Sequence, residues 1–361
     1  GPTVVDLGTL PGYRVSEAVA INDLGTVIGF SVDATINHLA VRWDRQGRIT
    51  QLEQPNGHHW ADAVAINDSD MVAGTLEAGS ITQRAIRWDQ RARVSVLPLL
   101  PGTTASGGVG IDELGQEFGN SWTPNGPMHA VRWDRAGNAH DLPGLGGAFS
   151  KVYAVNRIGE ASGVSNDARG YLHAVRWDRR DAVTDLSNGA DTFTNAVDLN
   201  DHGTAIGITS VNGCDSGRCA AVRWDRSGHA KTLASPPGTN YVEAIAINNR
   251  DMAIGYVTMV GGSWTTVRWD RRGTITDLSA TARKPYPYGL NDSGVIVGNA
   301  EFTEGISHAT RWDVRGQASD LGALFDGANS RATAINNAGT VVGFSSTTDG
   351  WWHAVLWRQG R

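Results

Sequence analysis

The sequence is poor in cysteine, methionine and charge: two Cys, four Met and 19% Asp, Glu, Lys and Arg in 361 residues. Cys214 and Cys219 are the two cysteines, in a Gly-rich stretch. They suit a local disulfide in an oxidising compartment or a pair of free thiols. No His or Cys neighbours them, so a zinc site would lack its further ligands. No run approaches the roughly 18 apolar residues of a membrane-spanning helix. With 31 Lys and Arg against 37 Asp and Glu, the formal charge of -6 lacks the basic footprint of a nucleic-acid binder. Nucleophile elbows, Gly-rich phosphate loops and metal-ligand motifs are missing too, so no cofactor and no metal are expected. Gly1-Pro2 reads as the remnant of a cleaved tag, with any export signal removed ahead of it.

Glycine (45 residues) and tryptophan (13 residues) are abundant instead, which points to short strands and tight turns. The phrase Ala-Ile-Asn-Asp recurs as a ladder at Asn22, Asn67, Asp112, Asn156, Asn200, Asn248, Asn291 and Asn336, with steps of 45, 45, 44, 44, 48, 43 and 45. Arg-Trp-Asp makes a second ladder in the same register through Trp43, Trp88, Trp133, Trp177, Trp224, Trp269, Trp312 and Trp357. In the first unit, Ala18 to Asn22, Thr26 to Phe30, His38 to Asp44 and Arg48 to Leu52 are strand-length runs of period two, with glycine-bearing turns at Gly25 and Gly47. Four antiparallel strands in about 45 residues is the size of a propeller blade.

The last copy stops at Trp357 without a fourth strand, while Val4-Val5-Asp6-Leu7 has no unit of its own. The expected fold is therefore all-β: a single domain over residues 1–361, an eight-bladed β-propeller with four antiparallel strands per blade and the N-terminal strand completing the last blade. Asp6-Leu7 then belongs to an outermost strand, and the Ala-Ile-Asn strands line a central channel.

The repeated His-Ala-Val-Arg-Trp-Asp of His129 to Asp134 and His173 to Asp178, with Ala-Ile-Asn-Asp and Asp-Leu-Gly, resembles the bacterial HAF-type extracellular repeat family over the whole chain. The resemblance implies a propeller and a secreted or cell-surface location. It implies no shared activity.

Residues common to the repeats read as scaffold. The ladder tryptophans should pack between blades and the following Asp should accept turn amides. His38, His129, His173, His308 and His353 open the third strands and are too widely spread around a ring to share one metal ion. Function should lie where the copies differ. The five tryptophans outside the ladder, Trp60, Trp122, Trp264, Trp351 and Trp352, fall in or beside the longer loops, where rings could stack on a ligand. Five residues before each ladder Asn the chain reads Glu17, Asp62, Gly107, Lys151, Asn195, Glu243, Tyr286 and Arg331, a varied set suited to a polar ligand at the channel mouth. Three before it, Tyr153, Tyr288 and Thr333 replace the usual Val or Ile.

Asp198, alone among Ala and Gly two before the ladder Asn, is a candidate acid or a hydrogen-bond acceptor for a buried amide. His59, in the loop His58-His59-Trp60, is a candidate general base. Three readings follow: a monomer binding a small molecule, carbohydrate or peptide; a lyase, hydrolase or cyclase using the same pocket; and a scaffold for protein partners.

Overall fold

The structure, a computed structural model, describes residues 2–77, 82–188, 193–210 and 219–358. Apart from one 3-10 turn, Ser279–Thr281, every regular element among the described residues is a β-strand. In the first repeat the strands are Val15–Ile21, Val27–Val32, His38–Trp43 and Ile49–Gln51. The ladder Asn22 falls just outside the first strand because its side chain closes the turn: Oδ1 accepts the Thr26 N–H at 2.8 Å. Six sheets are four-stranded antiparallel meanders. The seventh joins two such meanders through one parallel bridge, His38 to Trp60. This is the architecture of a β-propeller.

The chain divides into two compact units, one of residues 1–80, 86–95 and 278–361, the other of 81–85 and 96–277. In the first, Thr3–Asp6 pairs antiparallel with Trp352–Arg358, so the N-terminal strand completes the sheet that the last repeat leaves open. In the second, the four sheets begin with Ala105–Ile111, Gly146–Val155, Phe193–Leu199 and Thr239–Ile247.

Within each unit the repeat residues stitch neighbouring sheets. All eight ladder tryptophans are at most 1% exposed. Trp88 packs among Ile28, Ala40 and Leu52 of the preceding repeat, and Trp269 among Ile206, Ala221 and Leu233. Indole N–H groups donate to backbone carbonyls, Trp43 to Leu7 at 2.8 Å and Trp177 to Pro143 at 2.8 Å, which satisfies the polar handle of those buried rings; the Trp312 indole N–H has no partner among the described residues. The aspartate after seven of the eight tryptophans caps its turn, Arg358 following Trp357: Asp44 Oδ1 accepts from Gln46 and Arg48 N–H, and the Arg48 amide first of all holds its carboxyl below the usual range.

The ladder asparagines form chains. Asn22 Nδ2 donates to the Asn67 carbonyl at 3.0 Å, and Asn336 Nδ2 to the Asn22 carbonyl at 3.0 Å; Asn156, Asn200 and Asn248 repeat the pattern in the second unit. Asp112 keeps the turn-capping half of this role, accepting from Leu114 and Gln116 N–H, but a carboxylate has no N–H to pass on.

One glycine per repeat is dictated by backbone approach. Each first strand carries a register shift, between Ala18 and Ala20 or between Ala332 and Ala334. A Cβ on Gly29 would lie 1.8 Å from the Glu17 carbonyl oxygen, and one on Gly343 would lie 1.9 Å from that of Arg331. Only glycine fits there.

Candidate functional site

The structure separates His38 from the other third-strand histidines. His129, His173, His308 and His353 stand four residues before their tryptophan and oppose Ser121, Ser165, Ala300 and Ser345. His38 stands five before Trp43 and opposes Val32, while Leu39 occupies the place of the others. A one-residue offset in a strand turns a side chain to the opposite sheet face. The in-phase histidines accordingly contact the fourth-strand aspartate: His173 with Asp185 at 3.0 Å, His308 with Asp320 at 2.7 Å, and His353 with Asp6 of the N-terminal strand at 2.9 Å. Grouping His38 with this ladder is corrected by the register.

On the opposite face, buried His38 sits with its Nδ1 3.1 Å from the Asp62 carboxylate. The Trp60 ring stacks on its imidazole at 4.5 Å and 5°, the Phe30 ring meets it at 4.1 Å, and the Trp60 indole N–H donates to Asp62 Oδ2 at 3.1 Å. Burial pushes the imidazole pKa down, against the pull of Asp62. Trp60 therefore folds onto the sheet instead of standing free in its loop.

Phe30 lies directly across from Glu17. Burial raises the Glu17 pKa, and the Arg331 charge on the neighbouring first strand opposes the rise. Those two strands are tied by Thr333 Oγ1, which donates to the Ala18 carbonyl at 2.6 Å. The Arg331 guanidinium carbon is 5.2 Å from the ring centres of both Tyr288 and Phe344. The Tyr286 and Tyr288 rings are 5.0 Å apart, and Trp352 lies 6.4 Å beyond Phe344. Trp351 sits apart from these rings under Arg14, at 5.9 Å. A belt of rings thus runs through the first unit, with Glu17, Asp62, His38 and Arg331 as its polar members. Neither Glu17 nor Arg331 makes a hydrogen bond or an ion pair among the described residues.

The other predicted residues belong to the second unit. Lys151 lies over Tyr153 at 4.8 Å, Asn195 Oδ1 accepts the Ile208 N–H at 3.3 Å, and Glu243 is exposed. Trp264 is exposed and Trp122 half-buried, each at a strand end.

Asp198 spends both oxygens on amides: Oδ1 accepts from Leu199 at 2.9 Å and Oδ2 from Ile247 on the next first strand at 2.8 Å. Burial pushes its carboxyl up to about 7, the two amides opposing the rise. Of the two roles open to it, acceptor for a buried amide is the one the geometry displays. His59 is exposed in the first unit, and its carbonyl accepts the His38 N–H. Asp198 and His59, each a candidate catalytic group, fall in different units.

Phe30, Phe344 and His38 were outside the candidate set. Phe30 and Phe344 are the second-strand partners of Glu17 and Arg331, and the five-residue spacing from His38 to Trp43 was the readable signal. A further concavity in the second unit, about 470 Å3, is lined by turn residues that include Gln116, Glu160, Arg180 and Arg226; Glu160 and Arg226 pair there at 2.7 Å. Among the described residues no group of three or more His, Cys, Asp or Glu could hold a metal ion. Cys219 is disulfide-bonded; Cys214, the other cysteine of the sequence, lies outside the described residues.

No protein-family model matches the sequence, and no curated protein matches it. Solved structures do resemble it in fold. Virginiamycin B lyase from Staphylococcus aureus superposes with a TM-score of 0.50 at 14% identity, over 99% of each chain. A prolyl endopeptidase reaches 0.62 at 10% identity, over 93% of this chain and 55% of that one. A puromycin-hydrolyzing peptidase of Mycobacterium tuberculosis reaches 0.54 at 13% identity, over 92% and 58%. At these identities the likeness is one of fold.

Proposed function

We propose that this chain is an eight-bladed, secreted or cell-surface propeller of the HAF repeat type that acts as a monomeric ligand-binding module, with its site on the belt around Arg331. Eight copies of both ladders support the blade count, and the disulfide at Cys219 supports an oxidising compartment. The observation that carries the binding reading is the state of Arg331: a guanidinium held between two rings, its donors unspent, beside a half-buried carboxylate equally without partners. A carboxylate partly withdrawn from water without hydrogen bonds is costly, and a ligand that satisfies it recovers that cost. The rings supply stacking area for the ligand's apolar face.

The test is a thermal-shift screen of sugars, amino acids and short peptides against the wild type and Arg331→Ala. The reading expects at least one compound to raise the wild-type melting temperature and to lose that effect in the variant. A panel in which every compound acts equally on both proteins, or on neither, overturns it.

A further inference from the structure

The polar pair at the centre of the belt narrows the ligand class. Glu17 and Arg331 sit on first strands joined by the Thr333 hydroxyl. They are near enough for the arginine to oppose the rise in the Glu17 pKa, yet they form no ion pair of their own. Each keeps its full complement of one kind of group: acceptors on Glu17, donors on Arg331. Around them the neighbouring side chains are aromatic: Phe30 across from Glu17, and Tyr288 and Phe344 about Arg331. A ligand that fills this arrangement carries a cation and an anion a short distance apart, and beside them an apolar or aromatic body.

We propose that the belt binds a free α-amino acid with an aromatic or large apolar side chain, its ammonium group on Glu17, its carboxylate on Arg331 and its side chain against Tyr288 and Phe344. The inference rests on the binding role assigned to this site above. An α-amino acid holds its ammonium and carboxylate on one carbon atom, which matches two charged side chains on strands bonded side by side. The guanidinium fork suits a carboxylate because two parallel N–H donors meet two oxygens. A neutral sugar would use the same rings and the same polar groups through hydroxyls, but it would leave both protein charges uncompensated in a half-buried setting.

Calorimetric titration distinguishes these cases with five probes: L-phenylalanine, phenethylamine, 3-phenylpropionate, L-alanine and cellobiose. L-Phenylalanine should bind the wild type. Removing its carboxylate (phenethylamine), its ammonium (3-phenylpropionate) or its ring (L-alanine) should each weaken binding by about tenfold or more, the range of a hydrogen bond to a charged group or of one buried side chain. Glu17→Gln should erase the preference for L-phenylalanine over 3-phenylpropionate, and Arg331→Gln the preference over phenethylamine, with circular dichroism confirming that both variants remain folded. Binding of cellobiose in place of L-phenylalanine, lost in Arg331→Gln, overturns the amino-acid assignment and leaves the binding role standing. Equal binding of L-phenylalanine and its single-charge analogues also overturns the assignment. If no probe binds and the wider screen finds no Arg331-dependent ligand, both readings fall.

Discussion

His38 Nδ1 lies 3.1 Å from the carboxylate of Asp62, on the first strand of the following repeat. The contact exists because His38 is one residue out of step with the histidines of other repeats, so that it faces the belt instead of a fourth-strand aspartate. Its pKa is lowered from the ordinary 6.5, first by burial, which outweighs Asp62 and Glu77. The unfolded chain then binds the proton more readily than the folded one. Stability is complete above the unfolded value and is lost as pH falls through it toward the folded value. His38→Leu should flatten that loss as pH falls below the ordinary 6.5, read as the change in melting temperature of variant against wild type.

Asp198 carries the opposite sign. Its carboxyl is raised from 3.8 to about 7 in the fold, so the folded state holds the proton more tightly and stability falls as pH rises from the unfolded value to about 7. Asp198→Asn keeps an acceptor for the Ile247 amide and removes the charge. The variant should gain on the wild type at about pH 8 relative to about pH 5 in denaturant titrations. Asp198→Ala strips the acceptor and leaves the amide unpaired, at a cost of about 1–3 kcal/mol.

Gly343 faces the Arg331 carbonyl at the bulge of the last repeat, with no room for a methyl group. Gly343→Ala should destabilise by about 1–3 kcal/mol, measured by chemical denaturation. Because the strand that must move carries Arg331, ligand binding at the belt should fall in the same variant.

The asparagine chain can be cut one bond at a time. Asn336→Asp retains the acceptor for Thr340 N–H and discards the donor to the Asn22 carbonyl, as Asp112 does naturally. Asn336→Ala discards both. Unfolding free energies should rank wild type above Asp above Ala, with each step about 1 kcal/mol; an Asp variant as stable as the wild type would mean that the link to Asn22 contributes nothing.

The repeat is the part of this molecule that was legible from residue order. Tryptophan, Asp-x-x-Gly and Ala-Ile-Asn each recur because the same local geometry needs them: a buried ring with one N–H to satisfy, a turn with a capped amide, and a side chain that both closes its own turn and donates to its neighbour. Gln51, standing where the aspartates Asp141, Asp185 and Asp320 stand, already left a first-repeat histidine without its usual partner. The belt was only half legible. Glu17, Asp62, Tyr288 and Arg331 broke the pattern and could be picked out by column. Phe30 and Phe344 sit in a different strand, and only pairing register places them against Glu17 and Arg331.

Sequence alone therefore determined the number of repeats, the strand-turn order and the completion of the last sheet by residues Thr3–Asp6, since period-two hydrophobicity and glycine turns act over a few residues. Tertiary structure decided which departures from the repeat meet. Asp198 and Arg331 look alike in sequence, each a charge in a column of first-strand positions. Asp198 is consumed by two backbone amides because its carboxylate is turned toward the neighbouring strand, whereas Arg331 lies over the rings of Tyr288 and Phe344. That difference rests on side-chain direction at a bulged first strand, and no one-dimensional spacing records it.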